Sequence, residues 1–181
     1  MGKIVITENV SLDGIAGGER LLAWVGQIRG EAARVLLDEA LGAEALLLGR
    51  RSYEFFAARW PSRSGEHADR LNSMPKYVVS SSLDNPDWNA SVLTGDVVSE
   101  ASKLKRELAG DIVVYGSIQL ARTLIQHDLA DELRLMIYPV VIGEGEGLFC
   151  GTSDTRPMRL ISARGTGDGL AFLTYQPVRG A

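Results

Sequence analysis

A glycine followed by arginine or serine, where an apolar run gives way to a helix-like segment, is an arrangement that suits phosphate. The chain has two such places. Leu48–Ser52 reads LGRRS and Tyr115–Ile118 reads YGSI. Free backbone N–H groups and the positive end of a helix favour an anion there. Gly49, Arg50, Arg51 and Ser52 supply the groups at the first junction, and Gly116 and Ser117 at the second. Ser80 and Ser81 end a third apolar run in the same way. Ligands of open α/β sheets lie outside the carboxyl ends of the strands, so three such ends in one sheet would grip one extended phosphorylated molecule.

The elements that must hold these junctions follow an α/β pattern, short apolar runs separated by segments long enough for a helix. Lys3–Asn9 is the first strand. Ala33, Leu36, Leu37, Ala40 and Leu41 lie at helical spacing within Ile28–Leu41, with Gly42 placed to stop the helix. Glu44–Leu48 leads to a short helix over Tyr53–Ala58, ended near Trp60-Pro61. Lys76–Ser80 is the next strand and Asn89–Leu93 a short one. Asp96 caps a helix carrying Val97, Ala101, Leu104 and Leu108, and Gly110 closes it before the strand Ile112–Tyr115. Ser117 is expected to cap a helix whose stripe is Ile118, Ala121, Leu124 and Ile125. Leu133–Ile142 is a long apolar strand, also suited to a homodimer interface. Arg159–Ala163 and Leu170–Tyr175, joined through Gly165–Gly169, read as a hairpin. Together these predict one domain over residues 1–181, with a central, mostly parallel sheet, a C-terminal antiparallel hairpin and helices on both faces.

Composition narrows the function. With 19 Lys and Arg against 23 Asp and Glu, the net charge is −4, opposite to what a phosphate-tracking nucleic-acid binder needs. One cysteine, Cys150, excludes an internal disulfide, and with His67 and His127 far from it in sequence a zinc site is not expected. No apolar run approaches a membrane span, and the segment after Met1 lacks the layout of a signal peptide. Cytoplasmic residence is the default expectation.

The segments VSLDG (Val10–Gly14), LLGRRSYE (Leu47–Glu54), MPKYVVSSSL (Met74–Leu83), DIVVYGS (Asp111–Ser117) and DELRLMIYPVVIGEG (Asp131–Gly145) resemble the dihydrofolate-reductase-like family. Within it they resemble the branch containing the C-terminal reductase domain of the riboflavin-biosynthesis deaminase/reductase. The resemblance implies a three-layer α/β fold with NADPH across the carboxyl edge of the sheet. It implies phosphate contacts from Gly49, Arg50, Arg51 and Ser52, with Arg51 and Ser80 or Ser81 at the adenosine 2′-phosphate. Gly116 and Ser117 would approach the pyrophosphate, where the family carries a strained glycine-rich peptide. Asn9 and Ala16 would flank the nicotinamide carboxamide through backbone groups, and Ser11–Gly18 would form a mobile loop over the reacting ring. Asp13 and Trp24 fall at matching catalytic positions.

The chain departs from true dihydrofolate reductases where they carry a pterin-gripping acid, for Arg29 stands there and Glu31 is the nearest acid. A small heterocyclic or ribosyl substrate with an anionic or carbonyl group is expected instead, reduced by NADPH as in the riboflavin-type reaction. A fused zinc-dependent deaminase is not expected. A non-catalytic NADPH or flavin sensor is the alternative. From residue type alone, Asp13 either relays a proton or caps the turn before Gly14, and Trp24 either stacks on a flat ring or packs. Gly143–Gly147 lacks the strand-to-helix setting of a dinucleotide fingerprint and reads as a loop.

Overall fold

A computed structural model describes residues 1–151 and 154–179. Eight strands and six helices are found among them: β1 (Lys3–Ser11), α1 (Glu19–Val25), α2 (Gly30–Gly42), β2 (Ala43–Gly49), α3 (Arg50–Ala57), α4 (Glu66–Ser73), β3 (Lys76–Val79), β4 (Ala90–Leu93), α5 (Val97–Glu107), β5 (Asp111–Tyr115), α6 (Ile118–Gln126), β6 (Glu132–Tyr138), β7 (Met158–Gly165) and β8 (Ala171–Pro177). The strands form one sheet in the order β4-β3-β2-β5-β1-β6-β8-β7. The run from β4 to β6 is parallel, while β8 is antiparallel to both β6 and β7. This is the expected mostly parallel sheet with an antiparallel C-terminal pair.

Alternation along β1 divides its side chains between two cores. Ile4 and Ile6 pack with Leu104 of α5 and Leu120, Ala121 and Leu124 of α6. Val5 packs on the other face with Ala40 of α2, Tyr53 of α3 and Leu71 of α4. A third cluster joins Leu21 of α1 and Ala32 of α2 to Met136 and Tyr138 of β6. Three layers result, with the central strands dry on both faces.

Several expected boundaries move for identifiable reasons. The helix read from Ile28 begins at Gly30, because Arg29 is extended and Gly30 adopts φ +56. Helices α1 and α4 are additional, and each is short with few buried residues, Leu21 in one and Ala68 and Leu71 in the other. The Asp96 cap is as expected, its carboxylate accepting the Ser99 N–H at 3.0 Å. The strand read over Leu133–Ile142 stops at Tyr138, before Pro139. It lies between β1 and β8, with Leu133 and Met136 each 2% exposed. Past the strand, Val141 is 69% exposed. The free edges of the sheet are β4 and β7, and β7 carries exposed Leu160 and Ile161.

No helix among the described residues is long and apolar enough to cross a membrane, and no group of three or more potential metal ligands is found there.

Candidate active site

The ends of β3, β2, β5 and β1 adjoin along the carboxyl edge of the sheet, which is where the three phosphate-type junctions lie. Gly49 at the end of β2 stands opposite Val79, the last residue of β3. From there the Gly49 N–H donates to the Ser117 hydroxyl at 3.0 Å, tying β2 to the turn after β5. Gly116 and Ser117 are both left-handed, at φ +59 and +60. For serine that geometry costs about 1–2 kcal/mol. A Cβ built on Gly116 would lie 3.5 Å from the Ser52 hydroxyl, so β5's turn and the first turn of α3 enclose one small space. The expected N-cap bond from Ser117 to α6 is not formed, because its hydroxyl faces β2 instead.

The two arginines at the β2 junction differ. Arg50 donates to Glu54 at 2.7 Å and to the Ser82 hydroxyl at 2.6 Å, fastening α3 to the serine turn. Arg51 is exposed and makes no hydrogen bond or ion pair to a described residue. The Ser80 hydroxyl accepts the N–H groups of Ser82 at 3.2 Å and Leu83 at 3.1 Å, so it holds its own turn. Ser81 is exposed and its hydroxyl has no described partner. The junctions thus leave Arg51, Ser81 and Ser52 with free polar groups.

On the far side of β5, the loop after β1 is clasped. Asp13 accepts from the Ser11 hydroxyl at 2.6 Å, the Ile142 N–H at 3.1 Å and the Gly143 N–H at 2.7 Å. These donors, Ser11 first, hold its carboxyl down at about 2. Engaged by three donors, the carboxylate caps the loop in this structure. The Ala16 N–H donates to the Glu146 carbonyl at 2.9 Å, and Ile15 bridges Gly147. Arg122 of α6 completes the clasp, its Nε donating to the Leu148 carbonyl at 2.9 Å. These bonds tie the loop 11–18 to the segment 142–148.

Asn9 is committed through its side chain, whose Oδ1 accepts the Tyr138 hydroxyl at 3.1 Å. Trp24 lies on α1, 39% exposed, and its indole makes no described hydrogen bond. No contact places it against the strand ends. Arg29 turns its guanidinium onto its own loop, donating to the carbonyls of Gly26 at 3.2 Å and Ile28 at 2.6 Å.

Two features of the floor were not anticipated from sequence. On the α2 face, the Glu39 carboxylate accepts from Thr7 and from Arg134, each at 2.8 Å. The Tyr115 hydroxyl is buried beside the Glu39 carboxylate, and burial first, then the charge of Glu39 and the hydrogen bond to it, pushes it well above the ordinary phenol range. A cavity of about 370 Å³ adjoins this network, lined by Leu36, Glu39, Arg134, Met136 and Phe172 among others. On the α6 face, Glu8 of β1 is 1% exposed, and its Oε1 has no hydrogen-bond partner.

This sheet order, with its switch between β5 and β1 and the antiparallel pair at its end, defines a dihydrofolate-reductase-like α/β protein. The chain superposes on dihydrofolate reductase from Enterococcus faecalis complexed with NADP(H) at a TM-score of 0.69 and 17% identity, covering 97% of this chain and 96% of that one. A family model for the RibD C-terminal domain matches residues 2–172. The chain belongs to that family. It is similar to the uncharacterized protein YyaP of Bacillus subtilis, 27% identical over 96% of this chain and 94% of the relative. It also superposes on a Thermotoga maritima diaminohydroxyphosphoribosylaminopyrimidine deaminase/5-amino-6-(5-phosphoribosylamino)uracil reductase, with a TM-score of 0.70 and 13% identity over 97% of this chain and 56% of that one.

The residues present fit a phosphorylated nicotinamide cofactor. Gly49 and Gly116 leave the strand ends without side chains, and Arg51 is an unengaged cation beside them.

Proposed function

We propose that this chain is an NADPH-dependent reductase of a small heterocyclic or ribosyl substrate, with reduction of 5-amino-6-(5-phosphoribosylamino)uracil as the model reaction. The supporting observation is Arg51, the exposed guanidinium at the β2 end left without a described partner while its neighbour Arg50 is engaged. A nicotinamide cofactor supplies a hydride when bound. Gly49, Ser52, Gly116 and Ser117 would lie along its pyrophosphate. Arg51 with Ser81, rather than the engaged Ser80, would meet the adenosine 2′-phosphate. Asn9 and the Ala16 carbonyl would orient the carboxamide, the Ala16 N–H being used on Glu146. The clasped loop 11–18 would keep water from the reacting carbon. Of the two positions matched as catalytic, Asp13 would act by holding that loop, and Trp24 would border the substrate from α1.

Titration of NADPH and NADH against the wild-type chain and Arg51→Ala tests this reading. Loss of a charge-assisted hydrogen bond, about 1.5–3 kcal/mol, is expected for NADPH and not for NADH. Equal and negligible binding of both by the wild-type chain overturns it.

A second reading is favoured by the engagement of Asp13, which leaves no free acid on the loop. In it the chain binds NADPH or a flavin as a sensor without turnover. Bound NADPH that is not oxidised by any of a panel of pyrimidine, pterin and quinone substrates would favour it.

A further inference from the structure

Glu8 is a carboxyl in the wrong place for stability. It is 1% exposed, and its side chain makes no hydrogen bond or ion pair to a described residue. Burial alone holds it well above the usual carboxylate range, which favours the protonated form. An unsatisfied polar group in a dry core is costly and calls for an explanation.

Its position supplies one. Ile4 and Ile6 of β1 face α5 and α6, and two residues on, Glu8 faces the same way. Thr7 opposite Tyr115 is the last pair between β1 and β5. Glu8 is the next residue of β1, and Gly116 the next after Tyr115, where β5 turns into α6. The roof of that corner is the loop after β1, since a Cβ on Gly17 would lie 3.2 Å from the Ile118 side chain at the start of α6. Glu8 also directly precedes Asn9. Glu8 thus sits just past the end of the β1–β5 pairing, on the strand that runs into the clasped loop, with its carboxyl unpartnered.

A neutral carboxyl offers one O–H donor and one carbonyl acceptor side by side. A primary carboxamide offers the complementary N–H and C=O, and the two pair through two hydrogen bonds. We propose that Glu8 is a specificity residue for the cofactor, pairing with the nicotinamide carboxamide at the junction of β1 and the Gly116-Ser117 turn. This rests on the nicotinamide-cofactor reading above and adds to it a side-chain contact where only backbone groups were expected.

The test compares two probes, NADPH and 2′-phospho-ADP-ribose, which shares the phosphates but lacks the nicotinamide. Dissociation constants are measured by calorimetry for wild type, Glu8→Leu and Glu8→Gln, each checked for cooperative thermal unfolding. Glu8→Leu is expected to weaken NADPH about tenfold, as the loss of roughly 1.4 kcal/mol implies, and to leave 2′-phospho-ADP-ribose within about twofold. Glu8→Gln, which keeps one donor and one acceptor, is expected to retain most of the NADPH affinity. Unchanged NADPH binding by Glu8→Leu overturns the proposal, and so does equal weakening of both probes, which marks a structural role. If the wild-type chain binds neither probe, the cofactor reading itself fails. If it binds both and Glu8→Leu does not discriminate them, only the Glu8 assignment fails.

Discussion

The Gly49 N–H and the Ser117 hydroxyl, 68 residues apart in sequence, meet at 3.0 Å and join the ends of β2 and β5. The bond is made by a serine held at φ +60, so two opposing effects act at one residue. Ser117→Ala keeps the left-handed cost and loses the acceptor. Ser117→Gly loses the acceptor but relieves the backbone. The alanine variant is expected to be destabilised by about 1 kcal/mol and the glycine variant by less, or not at all. Urea unfolding of the pair gives the order, and the reverse order would show that the left-handed backbone of Ser117 carries no cost that glycine relieves.

Arg134 and Glu39 bind across the α2 face at 2.8 Å, with the Glu39 side chain only 7% exposed. Arg134 also donates to Glu132 at 2.7 Å. Arg134→Met removes the cation and leaves a nearly buried carboxylate with only neutral hydroxyls, those of Thr7 and Tyr115, beside it. Breaking a buried pair from one side is expected to cost about 3 kcal/mol. The double variant Arg134→Met, Glu39→Leu, which removes both charges, should recover much of that loss. Chemical denaturation of the three proteins measures it, and equal stability of the single and double variants would contradict the account.

Sequence made the strand ends legible because glycine and serine interrupt apolar runs at Gly49, Ser80 and Gly116, and punctuation of that kind is local. The Asp96 cap was legible for the same reason, its acceptor lying three residues from its donor. Long-range partners were not. Ser117 has the type and place of a helix cap, and only the approach of β2 turns its hydroxyl elsewhere. Asp13 finds two of its three donors 129 and 130 residues away, which no local pattern encodes. Helices α1 and α4 bury too few residues to leave a stripe. Glu8 did leave a signal. Consecutive apolar residues at Ile4, Val5 and Ile6 imply a strand buried on both faces, and any charge set into such a strand must be buried too.

The Asp13 clasp has a defined pH range. Its folded pKa, about 2, lies below the ordinary value of 3.8. The stability it lends the loop is thus fully present above the ordinary value and is lost as pH falls through the folded one. Between pH 5 and 8 the clasp should be insensitive to pH. Asp13→Asn keeps the shape but weakens acceptance from Ile142 and Gly143, whose amides should then exchange with deuterium several-fold faster while those of β5 do not change. Equal protection of Ile142 and Gly143 in both proteins would show that the carboxylate does not hold the loops together.

Glu8 carries the opposite sign. Its folded pKa is raised above the ordinary 4.5, and the cause is burial. Below the ordinary value the folded and unfolded chains both hold the proton and no stability is lost. As pH rises through the window between the two values, the unfolded chain releases the proton and the folded chain keeps it. Stability then falls by up to about 1.4 kcal/mol per pH unit until the folded pKa is reached. Glu8→Gln has no proton to release, so its stability relative to wild type should grow as pH rises from 5 to 8. Thermal unfolding of both proteins across that range measures the difference. A constant offset would mean that Glu8 titrates normally, and the neutral carboxyl on which carboxamide pairing depends would not exist.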